Sequence, residues 1–357
     1  MVYVNLGENS YNVHVDGDLL SQVGRVVKQF GITKALVVTD SNVAPLYLDQ
    51  VMCSLCEEGI KSDSLILPAG EIFKTVASVE LIWEKALDAR LDRESLFIAL
   101  GGGVIGDLTG FSAATFLRGI PFLQLPTTVL SQVDASVGGK TGCNLRKGKN
   151  LVGAFYQPIS VLADTKTLLS LSEREYINGF AEIVKHALIN SSDLFCVLEN
   201  NLDKIKRRDL DLLKDIVIKN IKIKASVVQT DEKEKGKRAL LNLGHTAGHA
   251  LEELGNYKIY YHGEAIAIGL VLACHIAWQK RLFSEENLDR IKNLLTKLGL
   301  PTSPKEKIDP SIWWEKTYSD KKLLDDTVYW VLPNGFGEAL IGQRVEFAEF
   351  VAAVESL

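Results

Sequence analysis

Through the first half of the chain, short β-branched runs alternate with longer stretches whose apolar positions recur every three or four residues. Tyr3–Leu6 and Tyr11–Val15 alternate apolar with polar positions on either side of Gly7-Glu8-Asn9, and this period of two predicts a hairpin. Lys34–Asp40, Asp63–Pro68 and Ser95–Gly103 show little alternation, the pattern of strands buried on both faces. Val76–Ala89, between two of them, has helical spacing. Strand, helix and strand in repetition predict a parallel sheet covered by helices, and such sheets bind ligands at the carboxyl ends of their strands.

Beyond Gln157 the period changes. Leu171–Asn190, Leu194–Lys206, Leu210–Val228, Ala239–Leu254, Gly263–Lys280 and Glu285–Leu298 all carry helical spacing, with few strand signals among them. The expected fold is therefore α/β followed by mainly α, divided near residue 160 into domains at 1–160 and 161–357.

Composition narrows the function. With 46% hydrophobic and 24% charged residues the chain is not disordered. A net charge of −5 without a concentrated basic run argues against a nucleic-acid partner. The longest uncharged apolar stretch, Ala265–Cys274, falls far short of the ~20 residues that span a bilayer, so no membrane partner is expected. The opening MVYVNLGENSYNVHV has the form of neither a secretory signal nor a transit peptide, which makes the cytoplasm the expected location. Five scattered cysteines are odd in number and fit a reducing compartment. Cys53 and Cys56 lie in a helical pattern and are expected to be buried as small apolar side chains.

Candidate chemistry concentrates in three places. Gly101-Gly102-Gly103-Val104-Ile105-Gly106-Asp107 follows a predicted strand, satisfies G-x-G-x-x-G and leads into a helical stretch, an arrangement that brings bare backbone to a pyrophosphate. No acid stands ~20 residues later, and Asp40 or Asn42, ending an earlier strand, is the better ribose partner. Gln124–Gln157 sets Asp134, Lys140, Asn144, Lys147, Lys149 and Asn150 among glycines, and a glycine-rich loop with interleaved lysines suits a phosphorylated ligand. Of six histidines, His245, His249 and His262 cluster, and Glu182 and Lys185 stand one helical turn apart. Two histidines and a carboxylate make a catalytic zinc set, and spacing alone pairs His245 with His249. His14 and His275 read as structural, and Asp231–Arg238 as a solvated charge run.

At GGGVIGDLTGF, RGIPFLQLPTTVLSQVDASVGGKTGCNLRKGKNLVGAFYQP, AEIVKHALI, LNLGHTAGHALE and HGEAIAIG the sequence resembles the 3-dehydroquinate synthases, a branch of the sugar phosphate cyclases. The resemblance implies a Rossmann-like, parallel-sheet NAD-binding domain followed by a helical domain that binds metal and substrate. The implied reaction converts 3-deoxy-D-arabino-heptulosonate 7-phosphate to 3-dehydroquinate and phosphate. It runs by transient NAD oxidation, phosphate elimination, re-reduction and aldol closure, in the shikimate route to aromatic amino acids.

By the same resemblance Glu182, His245 and His262 would hold Zn2+ or Co2+. Lys140, Asn150, Asn242 and His249 would bind the phosphate, with Arg118 supplied by the second subunit of a homodimer. Lys224 and Arg238 would hold the carboxylate, and Asp134, Lys185 and Glu234 would orient hydroxyls. One lysine of Asp320-Lys321-Lys322 would also reach phosphate. NAD would lie against Asp40, Asn42, Glu71 and Lys74, the run Gly102, Gly103, Val104, Ile105, Gly106 and Asp107, and also Thr127, Thr128, Lys140, Lys149, Thr167 and Ser170. The alternatives are another sugar phosphate cyclase or a metal-dependent NAD polyol dehydrogenase.

Overall fold

The computed structural model describes residues 1–318 and 328–357. The chain divides into two compact units, Met1–Leu171 with Leu210–Ala225, and Ser172–Asp209 with Ser226–Leu357.

In chain order the first unit contains β1 (Val2–Val4), β2 (Tyr11–Asp16), α1 (Val23–Lys28), β3 (Lys34–Asp40), α2 (Ala44–Glu57), β4 (Lys61–Leu67), α3 (Val76–Asp88), β5 (Leu96–Gly101), α4 (Gly103–Thr115), β6 (Phe122–Pro126), β7 (Lys140–Leu145), β8 (Gly148–Phe155) and β9 (Ser160–Asp164). Seven strands form one sheet in the order β1-β2-β9-β6-β5-β3-β4. The β1–β2 hairpin is antiparallel and every other pair is parallel.

Alternation along β3 decides what each face meets. Ala35 and Val37 pack with Val51 and Leu55 of α2, while Leu36 and Val38 pack with Val79 and Ile82 of α3 and Leu108 of α4. Both faces are dry, and each buried valine, leucine or isoleucine among them contributes ~1.5–3 kcal/mol. β4 differs from its expected burial. Among the described residues it is an edge strand, paired with β3 alone, and most of it is only partly covered. From β3 the chain goes outward to β4 and returns on the other side of β3 as β5. The resulting switch point lies between the ends of β3 and β5, where open sheets of this kind take their ligands.

Two expectations in this unit are corrected. The glycine-rich stretch is not a loop: it forms a π-helical turn (Ser131–Ala135) and then a separate antiparallel hairpin, β7–β8, with a register shift between Cys143 and Leu145. Thr141 and Cys143 of β7 are buried, so the inward-facing alternation survives among the glycines. Cys53 and Cys56 are exposed, because α2 turns Val51, Ser54 and Leu55 inward instead.

The second unit is mainly helical, with α5 (Glu173–Asn178), α6 (Phe180–Asn190), α7 (Ser192–Asn200) and α8 (Leu202–Lys206). α9 (Leu210–Thr230) begins in the first unit and ends in the second. There follow α10 (His245–Leu254), α11 (His262–Gln279), α12 (Glu285–Leu298), α13 (Pro310–Thr317), β10 (Tyr329–Pro333), β11 (Ala339–Arg344) and α14 (Phe347–Glu355). α11 is buried continuously from Ala265 to Ala277, the behaviour of a helix apolar on all sides.

The long helical patterns are interrupted. Gly179 separates α5 from α6, and Asn201 separates α7 from α8. The stretch 239–254 splits into a 3-10 turn (Lys237–Asn242) and α10, with Gly244 between them in the left-handed region at φ 78°. The β10–β11 hairpin and α14 carried no sequence expectation. Their core is aromatic, with the Phe350 ring against Trp313 and Trp330. Among the described residues no helix is long and apolar enough to cross a membrane.

Candidate active site

In the first unit, the switch point is lined by main chain and by short polar side chains. Asp40 ends β3, and its Oδ1 accepts from the amides of Asn42 (2.8 Å) and Val43 (3.1 Å), which turns the chain into α2. α4 begins at Gly103 after Gly102, and no side chain caps it. Its first amides and its positive dipole end therefore suit the pyrophosphate of a dinucleotide. The Thr127 amide donates to the Gly101 carbonyl at 3.0 Å, fixing the ends of β5 and β6 together. Thr128 exchanges hydrogen bonds with Ser131, the Ser170 hydroxyl meets Tyr47 Oη at 2.6 Å, and Thr167 accepts from Gln132 at 3.2 Å.

A second network joins the turn at Glu71–Phe73 to α4 and the β7–β8 hairpin. Lys74 Nζ lies 2.5 Å from Asp107 Oδ2 and 2.5 Å from Asn150 Oδ1, and Lys74 is 4% exposed. Burial works against its charge, but the carboxylates of Asp107 and Glu71 more than offset this and hold the ammonium above its usual value. Glu71 accepts from Asn144 at 2.7 Å, with Lys149 at 4.0 Å. Val104 and Ile105 belong to the first turn of α4, and Gly106 donates to the Gly102 carbonyl at 3.0 Å. Lys140 is exposed at the start of β7.

Asp134 sits on the π-helical turn, and its Oδ1 pairs with Lys224 Nζ of α9 at 2.8 Å. Asn220, one turn earlier, donates to the Val133 carbonyl at 2.7 Å and holds α9 in place there. Arg118 is exposed in a strained segment: Leu117 and Arg118 have φ of 50° and 71°, a left-handed conformation costing non-glycine residues roughly 1–2 kcal/mol each.

The second unit brings three scarce ligand-type side chains together. Glu182 lies on α6, His245 opens α10 and His262 opens α11. Their ligand atoms all lie within 4.8 Å of one another. Glu182 Oε1 is 3.4 Å from His245 Nε2 and 3.1 Å from His262 Nε2, while Oε2 pairs with Lys185. Backbone fixes the two histidines. The left-handed turn at Gly244 launches α10, and a Cβ on Gly263 would stand 1.8 Å from the Asn178 carbonyl oxygen, so only glycine lets α11 begin there. The Gly263 amide also donates to Asn178 Oδ1 at 2.7 Å.

The outer nitrogens are held as well. His262 Nδ1 is 3.3 Å from Glu252 Oε2, and His245 Nδ1 is 3.2 Å from the Leu243 carbonyl. Each contact engages Nδ1 and leaves Nε2 directed at Glu182, the nitrogen a metal would take. Glu252 had no place in the sequence expectation. Its signal was an acid on the apolar side of α10, buried beside Leu251. His249 also approaches, its ring centroid 5.1 Å from that of His245 and 6.0 Å from that of His262, and it forms a second possible ligand group with Glu252 and His262.

Electrostatics distinguish the three ligands. Burial would raise the Glu182 carboxyl, but Lys185 and His245 hold it well below the usual range. Burial and the Lys185 charge push His245 down to about 4. Burial opposes charge on His262 too, yet Glu252 and Glu182 raise it to about 10. A carboxylate, a neutral imidazole and an imidazolium thus share one pocket. Two imidazoles and one carboxylate with positions left open fit a catalytic divalent metal such as zinc.

The charge run 231–238 is more ordered than a solvated loop. Asp231 accepts amide hydrogens from Lys235, Gly236 and Arg238 at 2.8, 2.7 and 3.1 Å, and these bonds lower its carboxyl. The turn buries Arg238, whose guanidinium donates to the Glu232 carbonyl. Glu234 Oε1 accepts from Asn242 Nδ2 at 3.2 Å. His14 and His275 are lowered by burial, as structural histidines are. Lys321 and Lys322 lie outside the described residues.

Residues 64–178 match the model of the 3-dehydroquinate synthase N-terminal region and residues 179–323 that of its C-terminal region. A curated 3-dehydroquinate synthase from Desulforamulus reducens is 42% identical over 354 residues, 99% of each chain. Among solved structures, 2-deoxy-scyllo-inosose synthase with carbaglucose-6-phosphate, NAD+ and Co2+ superposes with a TM-score of 0.91 at 28% identity, covering all of both chains. The 2-epi-5-epi-valiolone synthase of Streptomyces hygroscopicus, with NAD+ and Zn2+ bound, gives 0.90 at 27% identity over 99% of this chain and 98% of its own. Fold, donor set and sequence agree, and the chain belongs to the 3-dehydroquinate synthase family.

Proposed function

We infer that this chain is a 3-dehydroquinate synthase, a phosphate-eliminating carbon–oxygen lyase that converts 3-deoxy-D-arabino-heptulosonate 7-phosphate to 3-dehydroquinate in the shikimate route. The reading is carried by near-complete alignment with a 3-dehydroquinate synthase at 42% identity, against 27% and 28% for the valiolone and inosose synthases. A homodimer in the cytoplasm is part of the same proposal. NAD is assigned to the domain at 1–160, and metal and substrate mainly to 161–357, with Lys224 on the Leu210–Ala225 segment of the first unit.

The cofactors and the chain divide the work. A divalent metal held by Glu182, His245 and His262 supplies Lewis acidity toward a substrate hydroxyl, and NAD against Asp40, Asn42 and the α4 turn supplies a reversible hydride acceptor. Lys224 and Arg238, buried cations at 5% and 1% exposure, are assigned to the substrate carboxylate, because a poorly solvated cation gains most from an anion. Lys140, Asn150, Asn242 and His249 are assigned to phosphate, joined by Arg118 from the second subunit and by Lys321 or Lys322. Asp134, Lys185 and Glu234 would orient hydroxyls and accept or return protons at their side-chain atoms. Holding the freed chain in one conformer then favours intramolecular closure over side reactions.

A polyol dehydrogenase would need no Lys140, Lys224 or Arg238, since a simple alcohol has neither phosphate nor carboxylate. The discriminating assay is release of inorganic phosphate from the heptulosonate phosphate. Release that is abolished by a chelator, without net NADH, is expected. Net NADH without phosphate would overturn the reading.

A further inference from the structure

Glu71 and Lys74 are assigned to the dinucleotide and Asn150 to phosphate, yet one side chain without an assignment touches both groups. Asn144 Nδ2 donates to Glu71 Oε1 at 2.7 Å, and its Oδ1 accepts from the Asn150 amide at 2.9 Å. Its own amide donates to the Lys74 carbonyl at 2.8 Å, and its backbone forms a parallel bridge with Thr75. We propose that Asn144 is a positioning residue that fixes the dinucleotide turn and Asn150 in one register, so that each ligand meets a site ordered by the other. This rests on the site assignments above.

The local geometry explains why an amide is required. Asn144 sits at the register shift between Cys143 and Leu145, where β7 leaves the hairpin ladder and turns a side chain toward the Glu71 turn. Asn150 has φ 54°, a left-handed conformation that a residue with a Cβ keeps only when its surroundings hold it. The bond to Asn144 supplies that hold at the main chain, and Lys74 Nζ supplies it at Oδ1. Asn150 Nδ2 then remains as the donor for an anion. Only a side chain with a donor and an acceptor on one plane serves a carboxylate and an amide hydrogen together. An aspartate at 144 would keep the bond to Asn150 but set a second carboxylate against Glu71.

The test is a double-mutant cycle on the full-length protein. NAD affinity is measured by calorimetry, inorganic phosphate affinity in the NAD-saturated protein, and kcat and KM by phosphate release. Asn144→Asp is expected to weaken NAD and phosphate about tenfold each and to raise KM more than it lowers kcat, with an unchanged melting profile. On a Glu71→Gln background the same substitution should cost no more than about twofold, because amide and carboxylate have exchanged places and the pair is rebuilt.

Equal losses on both backgrounds would overturn the proposal, as would unchanged affinities with a lowered melting point. Should Asn144→Asp fail to fold, Asn144→Ser takes its place, with joint loss of both ligands expected and loss of one alone refuting the link. A wild-type protein that binds neither NAD nor phosphate would instead overturn the functional reading itself.

Discussion

The proposed dinucleotide edge of the first unit and the candidate metal centre of the second are built from different materials. At the first, the proposed contacts lean on main chain, at the uncapped start of α4 and the Gly101–Gly103 turn, with short side chains such as Asp40 at the end of β3 beside them. At the second, three side chains from α6, α10 and α11 form the site, and two are imidazoles whose charge is set by neighbours. A site made of backbone is specified by the fold and tolerates loss of any one side chain. A site made of titratable side chains is sensitive both to truncation and to pH.

The contrast is broken most directly at His262. His262→Ala removes one of three proposed ligands, and metal content should collapse with phosphate-releasing turnover, by roughly a thousandfold or more given the several kcal/mol a Lewis-acid metal supplies. NAD affinity of the same variant should stay within about twofold of wild type, because its expected contacts lie on the other unit. Elemental analysis and NAD calorimetry on one preparation read both. Unchanged metal content would show that the ligand set is wrong.

Glu252→Gln acts one step further out. It leaves all three ligands but replaces the carboxylate beside His262 Nδ1, and loss of such an orienting partner weakens metal binding by roughly 10–100-fold. Competition with a chelator measures this without reference to turnover. An unchanged dissociation constant would remove Glu252 from the metal centre.

The protonation states add a third test. Glu182 is already ionised and His245 already neutral at neutral pH, whereas His262, raised to about 10, carries a proton that the metal must displace. Metal binding at pH 7 should therefore release about one proton, and apparent affinity should fall roughly tenfold for each pH unit lost between 9 and 7. Calorimetry in two buffers of different ionisation enthalpy counts the proton, and a count of zero refutes the assignment. In the metal-free protein the sign is opposite. A raised histidine gives stability that is fully present below about pH 6.5 and is lost as pH rises through about 10.

How much of this was legible follows from the reach of each signal. β3 was readable because a strand dry on both faces leaves an unbroken apolar run, Ala35 to Val38. The breaks at Gly179 and Gly244 were not, because the apolar period continues through them and only tertiary contact, such as α11 pressed against the Asn178 carbonyl, shows where the helix must stop. β7–β8 was obscured by its own glycines and lysines, which dilute the alternation to Thr141 and Cys143. The histidine cluster stood out by scarcity, but a separation of four residues places His245 and His249 on one face without revealing that α11 brings His262 to the same point. Glu252 drew no expectation because its partner His262 lies on the next helix, and Asp231 passed as solvated charge because its partners are backbone amides.

At the dinucleotide edge the expected losses are smaller. Asp40→Ala removes an acceptor from two amides at the entry to α2, worth about 1 kcal/mol of stability, together with one ribose contact. NAD should weaken by about tenfold or less and still bind, since the α4 turn is intact. Urea titration and NAD calorimetry separate the two effects. Complete loss of NAD binding would mean that this edge depends on a side chain after all, and the contrast with the metal centre would fail.

The smallest effect belongs to the pair that the sequence misplaced. Cys53 and Cys56 face solvent near the end of α2, while Val51 and Leu55 carry the packing against α1 and the sheet. Replacing both with serine exchanges exposed thiols for exposed hydroxyls, and stability should change by less than about 0.5 kcal/mol, with NAD affinity and metal content untouched. Leu55→Ala, one residue away, opens a cavity in the core and should cost about 2–5 kcal/mol. The two urea midpoints, measured side by side, test which face of α2 the sheet holds. A large loss from the double serine variant would place the thiols inside and reverse the orientation of the helix that follows Asp40.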